Sequence, residues 1–304
     1  MKKILVICGA TASGKTKLAV DCALKLNSEV ISADSQLIYK ELNIGTAKPL
    51  KEEMRGVKHH MIDIIDPTDR FSVSDYEKSA LPIVEKLISE SKIPVICGGT
   101  GFYINSLLFD LSYGKTAADE EVRLKYTLFF EKYGKQALYE KLREVDPVTA
   151  EKLHPNDIKR LIRALEIYEL SGKRKSEQND GFLPRFDYTA VAIDYPRDEL
   201  YDRINKRVDN MFDDGLINEV KGLLSRGIDE NYQCMQAIGY KEVVSGLKNG
   251  DLQSTMSDII KLNTRHYAKR QLTFFKKLPN LVWLKPEEAT ADRIEEMLNR
   301  DGIN

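Results

Sequence analysis

The stretch Gly9-Ala10-Thr11-Ala12-Ser13-Gly14-Lys15-Thr16 decides the fold. It matches G-x-x-x-x-G-K-[ST] at every fixed position, follows the apolar run Ile4-Leu5-Val6-Ile7-Cys8 and precedes an amphipathic segment over 17–24. Buried strand, glycine loop and helix stand in the order that a phosphate-cradling loop requires. The glycines let successive N–H groups turn inward around an anion, and the helix aims the positive end of its dipole at the same point. Lys15 adds a mobile cation, and Thr16 offers a hydroxyl suited to a magnesium ion, Mg2+. All eight residues are therefore assigned to a polyphosphate.

Outward from this loop, Glu29-Val30-Ile31-Ser32-Ala33 and Ile93-Pro94-Val95-Ile96-Cys97 read as further strands, as do Tyr188-Thr189-Ala190-Val191-Ala192-Ile193-Asp194 and Leu281-Val282-Trp283-Leu284. Helical patterns lie between them, so the class is α/β with a parallel sheet. In such sheets ligands bind beyond the carboxyl ends of the strands. Asp34 follows one strand end; it either faces the phosphate loop or caps a helix. A second glycine-rich turn, Gly98-Gly99-Thr100-Gly101, follows another and opens a groove beside the first. Arg203 and Arg207 stand four residues apart on a helix over 198–212, and either reach the phosphate site or pair with Glu199, Asp202 or Asp209. The adjacent His59 and His60 alternate on a strand and lack a third ligand at metal spacing, which favours a structural role.

The composition excludes a global pull towards nucleic acid or membrane: 46 Lys and Arg face 47 Asp and Glu over 304 residues, for a formal net charge of −1. The four cysteines, Cys8, Cys22, Cys97 and Cys234, lack C-x-x-C spacing and read as small buried hydrophobes of a reducing compartment. No apolar run approaches membrane-spanning length, and the expectation is a cytoplasmic monomer that does not engage a membrane.

Local charge is another matter. Strand patterns stop near Leu111, and 112–187 reads as an all-helical insertion between core segments 1–111 and 188–304. Within it, Ile158, Leu161, Ile162 and Leu165 form an apolar stripe, with Lys159, Arg160 and Arg163 off it. Such a face is solvated by default, or contacts an anion. The basic stretch Ser171-Gly172-Lys173-Arg174-Lys175-Ser176 is expected to end as a mobile loop. Residues 259–277 hold six Lys or Arg and no acid, with Lys261, Arg265 and Lys269 on one helical stripe, a candidate contact for a nucleic-acid backbone.

Together, 9–16, 34–39, 45–49, 59–67, 98–103, 154–166, 236–242 and 264–273 resemble the tRNA dimethylallyltransferase (isopentenyltransferase) family along nearly the whole chain. The resemblance implies a P-loop nucleoside-triphosphatase-like parallel sheet with helices on its faces and a helical insertion that clasps the anticodon stem-loop. It implies transfer of a dimethylallyl group from dimethylallyl diphosphate to N6 of adenosine 37 in tRNA. On this reading residues 9–16 hold the donor diphosphate, Asp34 is the base, and Lys15, Thr16 with magnesium, and Arg203 or Arg207 neutralise the leaving group. Asp34, Ser35, Gln36, Leu37 and Thr100 match tRNA contacts of the family, as do Arg123 and the run Lys159, Arg160, Leu161, Ile162 and Arg163. The chain departs from the family pattern at Phe274 and Lys276, where Trp and Arg are expected, so a planar arginine contact is lost there. A small-molecule or nucleotide kinase is the rival reading of the same loop.

Overall fold

The computed structural model describes residues 3–111, 119–177 and 183–300. The chain divides into two compact units, residues 1–108 with 184–304 and residues 109–183. The expected insertion, 112–187, begins and ends a few residues later, and its residues 112–118 and 178–182 lie outside the described residues.

In chain order the first unit opens with β1 (Lys3–Cys8), α1 (Lys15–Lys25), β2 (Val30–Ser32), α2 (Lys51–Met54), β3 (His59–His60), α3 (Val73–Ser89), β4 (Val95–Gly98) and α4 (Gly101–Leu108). The second unit contributes α5 (Glu120–Val145), α6 (Pro147–Glu151) and α7 (Ile158–Ser171). The first unit then resumes with β5 (Asp187–Ile193), α8 (Arg197–Asp213), α9 (Leu216–Ser225), α10 (Tyr240–Asn249), α11 (Gln253–Phe275), β6 (Leu281–Leu284) and α12 (Ala291–Arg300).

The strands form one parallel sheet in the order β3-β2-β4-β1-β5-β6. Ile4 to Cys8 are fully buried, as a strand covered on both faces requires, which explains their unbroken apolar run. On one face Leu5, Ile7, Val95 and Val191 pack with Leu18 and Ala19 of α1 and Ile294 and Leu298 of α12. A separate core joins Ile38, Tyr39 and Leu42 to α8, α9, α10 and α11. The order matters for function because β2, β4 and β1 are neighbours, so the turns leaving their carboxyl ends emerge side by side. The seam is tight: Ala33 N–H donates to the Cys97 carbonyl at 2.8 Å, and Thr100 N–H donates to the Ala33 carbonyl at 3.0 Å.

His60 Nε2 bonds Glu29 at 2.6 Å and His59 Nδ1 bonds the Val57 carbonyl at 2.9 Å, so both histidines fasten the sheet edge at β3. All four cysteines are buried free thiols, and burial pushes the Cys97 thiol up to about 12. No helix among the described residues is long and apolar enough to cross a membrane.

In the second unit α5 is two helical runs joined at Gly134, where φ is 80° and the helix breaks. Asp157 caps α7 by accepting from Arg160 N–H, and Gly172 ends it in the left-handed conformation. The stretch after Gly172 differs from the mobile loop expected: Lys175–Glu177 form a 3-10 turn, pinned where Ser176 N–H donates to the buried Asp146 carboxylate at 3.0 Å. A carboxylate distant in sequence orders a stretch whose own composition suggests none.

Candidate active site

The loop from β1 to α1 takes left-handed φ at Gly9 (127°), Ala12 (62°) and Gly14 (85°). Two of these positions need glycine; Ala12 adopts the region despite its Cβ. Ser13 Oγ donates to the Ala10 carbonyl at 2.9 Å, and Lys15 Nζ donates to the same oxygen. Thr16 sits exposed in the first turn of α1.

Two of the three arginines of α8, Arg203 and Arg207, turn to this side of the sheet. Arg203 Nε donates to the Ala12 carbonyl at 2.8 Å, and its guanidinium lies over the Tyr195 ring, 4.6 Å from the centroid. Arg207 Nη2 donates to the Thr46 carbonyl at 3.1 Å. Arg203 thus meets a carbonyl of the phosphate loop, and Arg207 a carbonyl of the separate stretch around Thr46. Thr46 belongs to a strap that Glu219 of α9 holds through three backbone N–H groups, those of Asn43 (3.0 Å), Ile44 (2.8 Å) and Gly45 (3.1 Å).

Asp34 leaves the end of β2 and Oδ1 accepts from Gln36 N–H at 2.9 Å. This is a turn closed by the side chain, with no helix following, so helix capping is not its role. Ser35, Gln36 and Leu37 are half-buried beside it. Thr100 fixes the same turn, since its Oγ1 accepts from Ser35 N–H at 3.0 Å and donates to Ser35 Oγ at 3.3 Å. The electrostatics join these parts. Burial pulls Lys15 below the ordinary lysine range, Arg207 adds to that, and Asp34 opposes it. Burial likewise lowers Arg207, again opposed by Asp34. Burial and then the Asp34 charge push the Tyr267 phenol up to about 12, against hydrogen bonds with Thr100 and Gln271. Asp34 thus lies within electrostatic reach of Lys15, Arg207 and Tyr267.

The other expected contact residues divide. Lys261 pairs with Asp209 at 2.5 Å and Arg265 donates to Asn205 at 2.7 Å, so two cations of the α11 stripe fasten α11 to α8; Lys269 is exposed. In the second unit, Leu161 is 0% exposed and packs with Leu138, Leu142 and Leu165. Its assignment to a tRNA contact is corrected on that ground: it lies on the inward stripe of α7. Ile162 is half-buried against the same core. Lys159 and Arg160 are exposed, with Arg160 3.2 Å from Asp157. Arg123 and Arg163 both meet the fully buried Glu166, at 3.0 and 2.6 Å, and Asp119 N–H donates to it at 2.7 Å.

Sequence reasoning assigned no role to Glu219, Glu166, Tyr267 or Gln271. Gln271 is only 5% exposed, accepts from Thr11 N–H at 2.8 Å and donates to the Gly99 carbonyl at 2.9 Å. Phe274, at the position where Trp was expected, sets its ring against Phe102 with centroids 5.2 Å apart.

Cations sunk beside a glycine loop, with a carboxylate in the same neighbourhood, suit chemistry in which a phosphate-bearing group departs. By class this is a P-loop transferase. Residues 37–278 match the family profile described as IPP transferase. The tRNA dimethylallyltransferase of Acetivibrio thermocellus is 44% identical over 295 residues, covering 96% of this chain and 94% of that protein. That of Oceanobacillus iheyensis is 44% identical over 299 residues, covering 97% and 95%. Among solved structures, the full-length tRNA isopentenylpyrophosphate transferase of Bacillus halodurans superposes with a TM-score of 0.73 at 41% identity, covering 99% of this chain and 96% of that one. A eukaryotic dimethylallyltransferase acting on tRNA gives 0.84 at 28% identity, covering 100% and 80%. The chain belongs to the tRNA dimethylallyltransferase (IPP transferase) family.

Proposed function

We propose that this chain transfers the dimethylallyl group of dimethylallyl diphosphate to N6 of adenosine 37, beside the anticodon of tRNA. The observation that carries the reading is the phosphate loop after β1, with Lys15 on the Ala10 carbonyl and Arg203 on the Ala12 carbonyl, tied through Gln271 and Thr100 to the turn that carries Asp34 after β2.

The exocyclic amine of adenine is a weak nucleophile, so the step needs charge stabilisation at the donor and a base at the acceptor. The N6 lone pair forms the bond to the allylic carbon. The carbon–oxygen bond breaks with its electron pair leaving on the diphosphate, and the N6 proton passes to Asp34. The loop N–H groups, Lys15, Arg203 and Arg207 neutralise the diphosphate. In this reading Arg203 and Arg207 both act on the diphosphate, from the loop and strap carbonyls that they hold. A magnesium ion fits the donor set in kind, because the exposed Thr16 hydroxyl and the phosphate oxygens are hard oxygen ligands. When bound it supplies further charge to the diphosphate.

Adenosine 37 leaves its stack to reach Asp34, with Ser35, Gln36, Leu37 and Thr100 lining its approach. The helical unit grips the anticodon stem-loop through Lys159, Arg160, Arg163 and Arg123, with Lys269 of α11 as a further phosphate contact. The enzyme acts as a monomer in the cytoplasm, where its tRNA substrate is found. A kinase would instead spend ATP on a small acceptor. Supplying tRNA with dimethylallyl diphosphate should add mass to the anticodon loop; ATP turnover on a small acceptor without that mass would overturn the reading.

A further inference from the structure

We infer that Gln271 is a positioning residue for transfer, setting the spacing between the donor loop and the acceptor-side turn; this rests on the function proposed above. Its two ends are used differently. The amide oxygen accepts from Thr11 N–H at 2.8 Å inside the phosphate loop, and the amide nitrogen donates to the Gly99 carbonyl at 2.9 Å in the turn after β4. One residue further, Thr100 holds Ser35 beside Asp34. A short chain of bonds therefore runs from the donor cradle through Gln271, Gly99 and Thr100 to the general base.

The chemistry of the bridge permits few substitutes. One end must accept and the other must donate, which an amide does and an ionised carboxylate cannot. The site is also closed around it: a Cβ at Gly99 would lie 2.2 Å from Gln271 Nε2. With Gln271 buried, loss of its amide leaves a backbone donor and a backbone acceptor unpaired in the interior and frees the two turns to drift. Transfer is sensitive to that drift, because the allylic carbon held by one turn must meet the amine held by the other. A misplacement of about 1 Å costs on the order of a hundredfold in rate.

Two variants test this. Gln271→Met keeps the volume without the hydrogen bonds. Its single-turnover transfer at saturating tRNA and donor should fall by about tenfold or more, with affinities for tRNA and for inorganic diphosphate little changed. Gln271→Glu makes both bonds only when protonated, and burial raises a carboxyl pKa. Its rate relative to the parent should therefore rise as pH is lowered. Hydrogen exchange supplies a readout apart from activity: the Thr11 amide should lose protection in Gln271→Met. A parental transfer rate in Gln271→Met, a loss confined to diphosphate affinity, or a flat pH ratio in Gln271→Glu overturns the inference. Should Gln271→Met fail to fold, the pH ratio alone decides. If the parent chain transfers nothing while Thr11 protection still depends on Gln271, the proposed function fails and the bridge remains as a structural tie.

Discussion

In the sheet unit Lys15 and Arg207 are half-buried and bonded to the carbonyls of Ala10 and Thr46, whereas in the helical unit Lys159 and Arg160 stand at the surface and Arg123 and Arg163 are paired with the buried Glu166. On the function proposed, the difference follows from the charge each would meet. A diphosphate is compact, so a few desolvated cations on fixed backbone serve it, and their low dielectric strengthens each interaction. A nucleic-acid backbone is extended and surrounded by counterions, so exposed cations serve it and the contact weakens with salt.

The contrast breaks most visibly at Asp34. Asp34→Ala should slow transfer by about a hundredfold or more, as removal of a general base does, while tRNA binding is retained. A single-turnover assay beside a filter-binding titration checks this, and a parental rate removes Asp34 from the base role. The next effect is on donor affinity. Burial holds Lys15 below the ordinary lysine range, so as pH rises it loses its proton early and the neutral amine no longer attracts the anion. Affinity for inorganic diphosphate should therefore weaken with rising pH, more steeply than in Lys15→Arg; equal calorimetric profiles would place the cation's role elsewhere.

A smaller effect belongs to the helical unit. Removing Lys159 and Arg160 together should make the dependence of log tRNA affinity on log salt shallower by about one per lost phosphate contact, with diphosphate affinity unchanged. An unaltered slope would mean that these exposed cations are only solvated. Smallest on chemistry is Leu161→Ala, which should destabilise by about 2–5 kcal/mol through an unfilled core site yet leave the folded enzyme's transfer rate intact. Thermal melts paired with rates separate those outcomes, and a rate loss without destabilisation would restore Leu161 to the contact surface.

Legibility in the sequence follows the range of the physics. The phosphate loop was readable because its geometry is set by residues within one turn and helix start, and the parallel sheet because buried strands write themselves as apolar runs. Asp34 could be located but not assigned, since an Asp at a strand end serves equally in a cap or a site. The four-residue spacing of Arg203 and Arg207 placed them on one face without saying what that face meets. Helical spacing already set Leu161 on the apolar stripe, apart from Lys159, Arg160 and Arg163, and only the contiguous family match over 159–163 joined it to them. Gln271 and Glu219 were silent because their partners lie far along the chain; Gln271 meets Thr11 across 260 residues. A lone amide on a helix carries no local signal of such a contact.

The most direct measurement follows one turnover of the parent chain with an anticodon stem-loop RNA and dimethylallyl diphosphate, mapping the added mass by nuclease digestion and counting released diphosphate. The account predicts one dimethylallyl group on adenosine 37 for each diphosphate released, and none of either when that adenosine is replaced. Mass on another nucleotide, or diphosphate released without modification of the RNA, would contradict it.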